Sequence, residues 1–495
     1  TGLLKNSEIL ANMLPMVASY TNVFAPIAGC DSKAKMIYEF DAADVGRSVM
    51  YPAMARSFRA AGFQWATQFS YDPGYIAHTN SEYNTHYLNL LYTPKKAISL
   101  MIAARAFKQA ERGVESKPYP QNNQFGDIQL SYQDDLSLLN NDRYFYHSNS
   151  TTTAPKDLEK LKHIAGVGSS PVVEYDGTGA YFLDKLTDDV WQLEVYPDVH
   201  QIQDPYQNSS LQREVRRLYI NQRKLTLALD GLDKSFYLQG INLHNSTQRK
   251  ADDRSVVIAP GKYLIANSLQ QLEQFMIASA LTDNGSSSSS KNISDKKLST
   301  DYFLPNIKPA PLELSHRVQR AVTLGDDHQF VVELGTDDAV DKVELLLRYR
   351  NDRSFTAFAM TKQTGTKYIA PLPKSWQKTG PMEYAFVVSS KDKKTTFPGA
   401  ANGTPFNWDF VKATDYWSFK LQPKNTPLSV FDAQSDRNNL LYPKNGKVRQ
   451  EYVSGQNGLG TVLKLGLDNL TDSNFLLKTT LAADSQLINR STDGF

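Results

Sequence analysis

Hydrophobic and polar positions alternate differently in the two ends of the chain. In residues 1–113 the short apolar run Lys35–Phe40 (KMIYEF) reads as a buried strand. Val49–Ala61 (VMYPAMARSFRAA) has the period of a helix, with Met50, Met54 and Phe58 four apart on one face and Gly62 placed to end it. Phe63–Phe69 (FQWATQF) is a second strand-like run, and a polar, aromatic-rich loop follows at 80–92. Thr93-Pro94 then predicts a helix start, with Thr93 as N-cap and Pro94 at the first position. Ile98, Leu100, Met101, Ile102, Ala104 and Phe107 supply its apolar flank, and Gly113 ends it. Strand, helix, strand, helix in that order implies parallel strands covered by helices.

Beyond residue 120 the period shortens to two. Runs at Pro171–Tyr175, Gly179–Leu183, Val190–Val195, Leu225–Leu229, Phe236–Ile241, Val256–Ile258 and Tyr263–Ala266 alternate between turn signals such as Asp176-Gly177, Asp230-Gly231 and Pro260-Gly261. They predict a β-sandwich over 119–282. Asp283–Thr300 (DNGSSSSSKNISDKKLST) has the composition of a linker or mobile loop, which places a linker at 283–308. Strands expected at Gln329–Leu334, Lys342–Arg350, Ala357–Thr361, Tyr368–Ala370 and Glu383–Ser389 suit an immunoglobulin-like sandwich over 309–420, and 421–495 reads as a further, short β-rich domain.

Composition narrows the function. The 54 basic and 52 acidic side chains leave a formal charge of +2, so no global field favours nucleic acid or an anionic membrane. With Cys30 as the single cysteine there is neither an intrachain disulfide nor a cysteine-built metal site. The eight histidines show no HExxH or HxH spacing, so no metal or organic cofactor is expected. No apolar run approaches the roughly 20 residues of a membrane helix.

Candidate chemistry gathers at Tyr38–Val45 (YEFDAADV). Glu39 stands at the end of the first strand, with Asp41 and Asp44 beyond it as cap or turn residues. The second strand carries Trp65, followed by Gln68, Tyr71 and Asp72. An indole packs on the apolar CH face of a pyranose while amides and carboxylates bind hydroxyls, so Glu39 and Trp65 are expected to floor one sugar subsite. Tyr38 and the loop residue His86 complete the candidate substrate-binding set; His78 and His86 otherwise read as surface residues.

The segments YEFDAADV, FQWATQFSYDP and NTHYLNLLYTPKKAISL resemble the last two strand–helix units of a clan A, family 5-like glycoside hydrolase barrel of the large secreted Bacteroidetes type. That resemblance implies the C-terminal part of a (β/α)8 TIM-type barrel over residues 1–118, with β-sandwich accessory domains after it. It implies Glu39 as the catalytic nucleophile, Trp65 as the sugar platform, and Met13–Tyr20 (MLPMVASY) as the preceding strand. A barrel of eight units needs about 200 residues or more, and only 34 precede Lys35. The expectation is therefore a fragment, a cleaved product or one piece of a split enzyme, whose acid/base Asn-Glu pair belongs to the missing half. The activity so implied is retaining hydrolysis of a β-linked polysaccharide by a secreted, periplasmic or cell-surface protein. Its partners would be the polysaccharide, the missing barrel half or a cell-surface glycan-uptake complex.

Two other readings stand beside it. One is a non-catalytic glycan-binding or structural surface protein with a degenerate barrel. The other takes residues 1–113 as a small α/β layer with Glu39 in a surface turn, away from Trp65. Gly166–Ser170 (GVGSS) reads as a turn and not a phosphate loop, and Lys391–Lys394 (KDKK) as a hairpin tip. Trp191, Trp376, Trp408 and Trp417 are each core, interface or sugar-platform candidates.

Overall fold

The structure, a computed structural model, describes residues 9–423 apart from 10–11, 18–19, 21, 25, 31, 43–44, 73, 80–87, 116, 204, 207–209, 284–299 and scattered positions between 306 and 392. Further on it describes the strands Lys447–Gly455, Gly458–Gly466 and Thr480–Leu481 as backbone. The linker expected from Asp283 onward falls almost wholly outside the described residues.

The N-terminal strands and helices form where periodicity places them: β1 at Met36–Phe40, α1 at Met50–Ala60, β2 at Trp65–Gln68 and α2 at Pro94–Gln109. Met50, Met54 and Phe58 are all buried, as their spacing requires. Pro94 opens α2, yet Thr93 makes no side-chain cap to the helix. Its hydroxyl instead accepts from the Asn89 N–H (2.7 Å) and donates to the Asn89 carbonyl (3.0 Å), tying down the preceding loop. Leu14–Val17, in the segment expected as a strand, is a 3₁₀ turn.

The barrel expectation is overturned. Among the described residues β1 and β2 pair in parallel with each other and with no other strand, and no cylinder of strands closes around them. Among the described residues there are three α-helices against a large majority of strands, the third, α3, being Leu269–Asp283. The local order strand–helix–strand–helix is the same in a barrel and in a small covering layer; what differs is where the helices bury their apolar faces. Here they bury them on the sheet that follows.

That sheet has ten strands. In spatial order they are Gln248–Lys250, Tyr237–Gly240, Gly261–Ala266, Trp191–Val195, Ala180–Lys185, His163–Val167, Tyr144–His147, Leu136–Asn140, Ile128–Ser131 and Gln124–Phe125. All neighbours are antiparallel except Tyr144–His147 and His163–Val167, which run parallel. One face carries Leu138, Phe145, Ile164, Tyr181 and Leu183, which pack against a three-stranded sheet of Val173–Tyr175, Arg223–Leu227 and Ser255–Ile258. The opposite face carries Leu139, Tyr146, Ala165 and Ala180, which pack against Tyr51, Phe58, Ile98 and Ile102 of α1 and α2. Fully burying each large apolar side chain contributes about 1.5–3 kcal/mol. Polar contacts add position: the Arg105 guanidinium lies 4.1 Å over the Tyr144 ring, and the Ser99 and Ser137 hydroxyls meet at 2.9 Å.

A second sandwich follows. Glu313–His316, Gln329–Gly335, Lys367–Pro371 and Thr361–Lys362 form one sheet; Gly380–Ser390 and Lys342–Tyr349 are central in the other. Phe330, Leu345, Tyr384, Phe386 and Leu421 fill the space between them. The two sandwiches meet where Arg217 donates to Glu214 (3.0 Å) and to Glu313 (3.1 Å). Gly335 is needed there, because a Cβ would stand 2.5 Å from the Tyr219 ring. Trp191 is core, Trp376 stacks on Tyr349 at 5.3 Å, and Trp417 packs around Tyr384; Trp408 alone of the four is open, at 97% exposure.

Two buried histidines and one buried ion pair give this fold measurable signatures. His147 donates from Nδ1 to the Asn149 carbonyl (2.9 Å), which leaves Nε2 to accept from the Tyr181 hydroxyl (2.9 Å). His316 uses the same arrangement, with the Val331 carbonyl (2.7 Å) and the Tyr384 hydroxyl (2.8 Å). Burial pushes each down to about 4, below the ordinary value near 6.5 of the unfolded chain. The unfolded state thus takes up protons first, so the stabilisation is intact above about pH 6.5 and drains away as the pH falls toward 4. Urea midpoints measured between pH 7 and 4 should fall on acidification, and His147→Gln should flatten the part of the curve that belongs to the first sandwich. Asp198 accepts from Arg223 Nε (2.6 Å), Asn221 (3.0 Å) and the Thr178 N–H (2.7 Å) in a site almost closed to water. Asp198→Ala strands the Arg223 guanidinium and should cost roughly 3–5 kcal/mol in the same denaturation.

Candidate functional site

Strict alternation from Ile37, which points into the helix layer, would turn Glu39 inward as well. It does not, because β1 carries one residue more than β2 over the same stretch: Ile37 pairs with Ala66 and Phe40 with Gln68. This bulge leaves Tyr38 and Glu39 as two consecutive side chains on the open face, while Ile37 is buried and Phe40 meets Phe58 of α1 edge-on at 5.2 Å. Bulges re-aim side chains in this way and are common beside functional sites. Tyr38 is 78% exposed.

Beyond β1 the chain is held from below. Asp41 accepts the Tyr51 O–H at 2.8 Å and the Ala42 N–H at 2.8 Å. Burial first, and the Asp41 carboxylate second, hold the Tyr51 hydroxyl well above the usual phenol range, so it remains a donor. Asp41 thus serves the turn, as expected of it; Asp44 lies outside the described residues. Beyond β2, the Asp72 N–H donates to the Leu88 carbonyl (2.7 Å) and Asn89 Nδ2 to the Asp72 carbonyl (2.9 Å). Tyr71, half exposed, accepts the Leu90 N–H through its hydroxyl (2.8 Å). Asp72 itself is buried. His86 lies outside the described residues.

Trp65 is exposed, at 63%, but it sits at the wrong end of its strand to floor a Glu39 subsite. It pairs with Met36, three residues and so about 10 Å before Glu39. Its indole N–H donates to Thr67 Oγ1 (2.8 Å), which draws the ring forward along β2 on the open face. Trp65 therefore flanks the carboxylate.

Two groups near the strand end are without partners among the described residues, and sequence reasoning named only one of them. Gln68 Nε2 and Ser70 Oγ are both shielded from water and make no hydrogen bond among the described residues. Gln68 was visible as a candidate; Ser70 carries no sequence signal at all. A polar atom buried without a partner costs roughly 1–3 kcal/mol, as it does elsewhere in the chain at Arg56 Nε. Tyr38, Trp65 and Tyr71 expose their rings, and Glu39 its carboxylate, along the rim of this two-stranded layer. No three His, Cys, Asp or Glu side chains gather as a metal site among the described residues. No helix among them is long and apolar enough to cross a membrane.

Compared with protein-family models and with curated proteins, the chain matches none.

Because the Ser70 hydroxyl has no partner to lose, Ser70→Ala should leave the thermal midpoint unchanged or slightly raised, while weakening whatever the rim binds. A fall of several degrees would instead give the hydroxyl a structural role.

Proposed function

We propose that this protein acts on a β-linked polysaccharide as a glycoside hydrolase, or as a piece of one, with Glu39 as the nucleophile. The observation that carries the reading is the bulge in β1, which turns Glu39 away from the helix layer to the open face beside Tyr38. In the proposed reaction Glu39 attacks the anomeric carbon, the glycosidic oxygen departs with a proton from an acid/base carboxyl, and water then releases the sugar from Glu39. The acid/base would be a Glu outside this chain, and a retaining mechanism asks for the two carboxyls about 5 Å apart. Tyr38, Gln68 and Tyr71 would bind sugar hydroxyls and faces around the reacting ring, with Trp65 as a flanking contact and Asp72 as a support of the loop. A secreted, periplasmic or cell-surface location, and work alongside a glycan-uptake complex, go with such a substrate.

A second reading is a non-catalytic glycan-binding surface protein. It is favoured by the fate of the neighbouring acids: Asp41 is committed to Tyr51 and Asp72 is buried, so neither stands ready as the second carboxyl.

Glu39→Gln separates the two. On a panel of β-glucans, mannans and algal galactans, the hydrolytic reading expects turnover to vanish while the fold and oligosaccharide affinity are largely kept. Retained hydrolysis would remove Glu39 from the chemistry, and affinity without turnover in either protein would leave the binding role alone.

A further inference from the structure

The first sandwich carries a cleft of about 920 Å3 that is separate from the β1–β2 rim. It lies over the strand Ile128–Ser131 and is closed by the turn at 131–134 and the loops at 150–153 and 169–171. Its volume is in the upper part of the range of small-ligand sites. What sets it apart is the chemistry of its walls. They are mostly hydroxyls and amides, among them Gln129, Thr152 and Ser170, with the phenol rings of Tyr119 and Tyr132 and the apolar Leu130, Leu136 and Pro171, and Asp134 is the one charged side chain of the lining. The neighbouring cavity, of about 730 Å3, shares Gln133, Asp134 and Ser150 with it but adds charges of both signs, among them Arg47, Arg216, Lys367, Asp176 and Glu333.

The walls are held in place before any ligand arrives. The Arg47 guanidinium lies 4.2 Å over the Tyr132 ring and fixes its plane. Ser150 Oγ accepts the Ser169 N–H (3.0 Å), and Ser169 Oγ in turn accepts the Tyr175 N–H (3.1 Å). Asp134 is occupied by the Ser131 hydroxyl (2.6 Å), so its charge is partly spent within the turn. A phosphate or nucleic acid would need cations here, and an apolar ligand would need apolar walls. Hydroxyls, amides and flat rings, with a single carboxylate already engaged by Ser131, suit a neutral, polyhydroxylated ligand.

We propose that this cleft is a second carbohydrate site, which holds a stretch of a neutral oligosaccharide away from the Glu39 rim. The ligand class rests on the polysaccharide reading above; the location does not. Tyr132 offers the ring on which a pyranose face packs, and Gln129 and Thr152, both open to solvent, reach its hydroxyls.

The test is calorimetric titration of the full chain with cellohexaose, mannohexaose and agarohexaose. The proteins compared are the unaltered chain, Tyr132→Ala, the double variant Gln129→Ala/Thr152→Ala, and Glu39→Gln. The expected result is a loss of about tenfold or more in affinity for one of the three sugars in both cleft variants, larger than any change in Glu39→Gln. The double variant touches no core residue, so it decides the matter even if Tyr132→Ala folds poorly. Unchanged affinity in the double variant overturns the cleft, and so does a loss confined to Glu39→Gln, which would leave the rim reading standing. If the unaltered chain binds none of the three sugars, the neutral-sugar assignment of the cleft falls, whatever hydrolysis of longer polymers shows about the rim.

Discussion

The architecture depends on one constraint: the central strands of the ten-stranded sheet are apolar on both faces, and both must be covered. Antiparallel sheets commonly leave one face to water. Here Leu138 and Leu139, or Phe145 and Tyr146, are successive residues that enter different cores. The three-stranded sheet covers one side. The other is covered by α1 and α2, which bring β1 and β2 with them as an outer layer. The parallel pair is therefore positioned by the helices beneath it, and the direction in which Glu39 points follows from how Ile37 and Phe40 are seated on that layer.

The sequence was most legible where its period was clean. The two N-terminal helices and strands, and the runs at Trp191–Val195 and Gly380–Ser390, stand close to where alternation or a 3.6-residue period puts them. The strands Leu136–Asn140, Tyr144–His147 and His163–Val167 went unread, because a strand buried on both faces shows no alternation to read; Ile128–Ser131 alternates but is only four residues long. The helices cover these strands together with Ala180 of the next one, and without that surface a closing cylinder was the natural home for strand–helix units. The barrel expectation thus failed through a missing partner surface, and Met13–Tyr20, expected as its preceding strand, holds a 3₁₀ turn at Leu14–Val17.

The candidate site was legible to a similar depth. Residue type and strand position singled out Glu39, Tyr38, Gln68 and Tyr71, yet their directions depended on a register shift that no spacing in one strand reveals. Trp65 was misplaced for the same reason: being near Glu39 in a list of strand residues says nothing about which ends are paired. Ser70 and the hydroxyl-lined cleft over Ile128–Ser131 were out of reach, since a lone serine and a scatter of hydroxyls acquire meaning only when the fold gathers them.

The bulge in β1 carries a consequence for how this segment can vary. Between Ile37 and Phe40, both anchored on helices, the chain has room for one residue in excess of its neighbour, and the surplus is what lifts an acid out of the interior. Exchanges of side chains there alter chemistry at a fixed location. Losing or gaining a single codon would instead transpose inside and outside, either sealing the acid beneath the sheet or expelling an anchor. Length, more than identity, is the property of this stretch that descent must preserve.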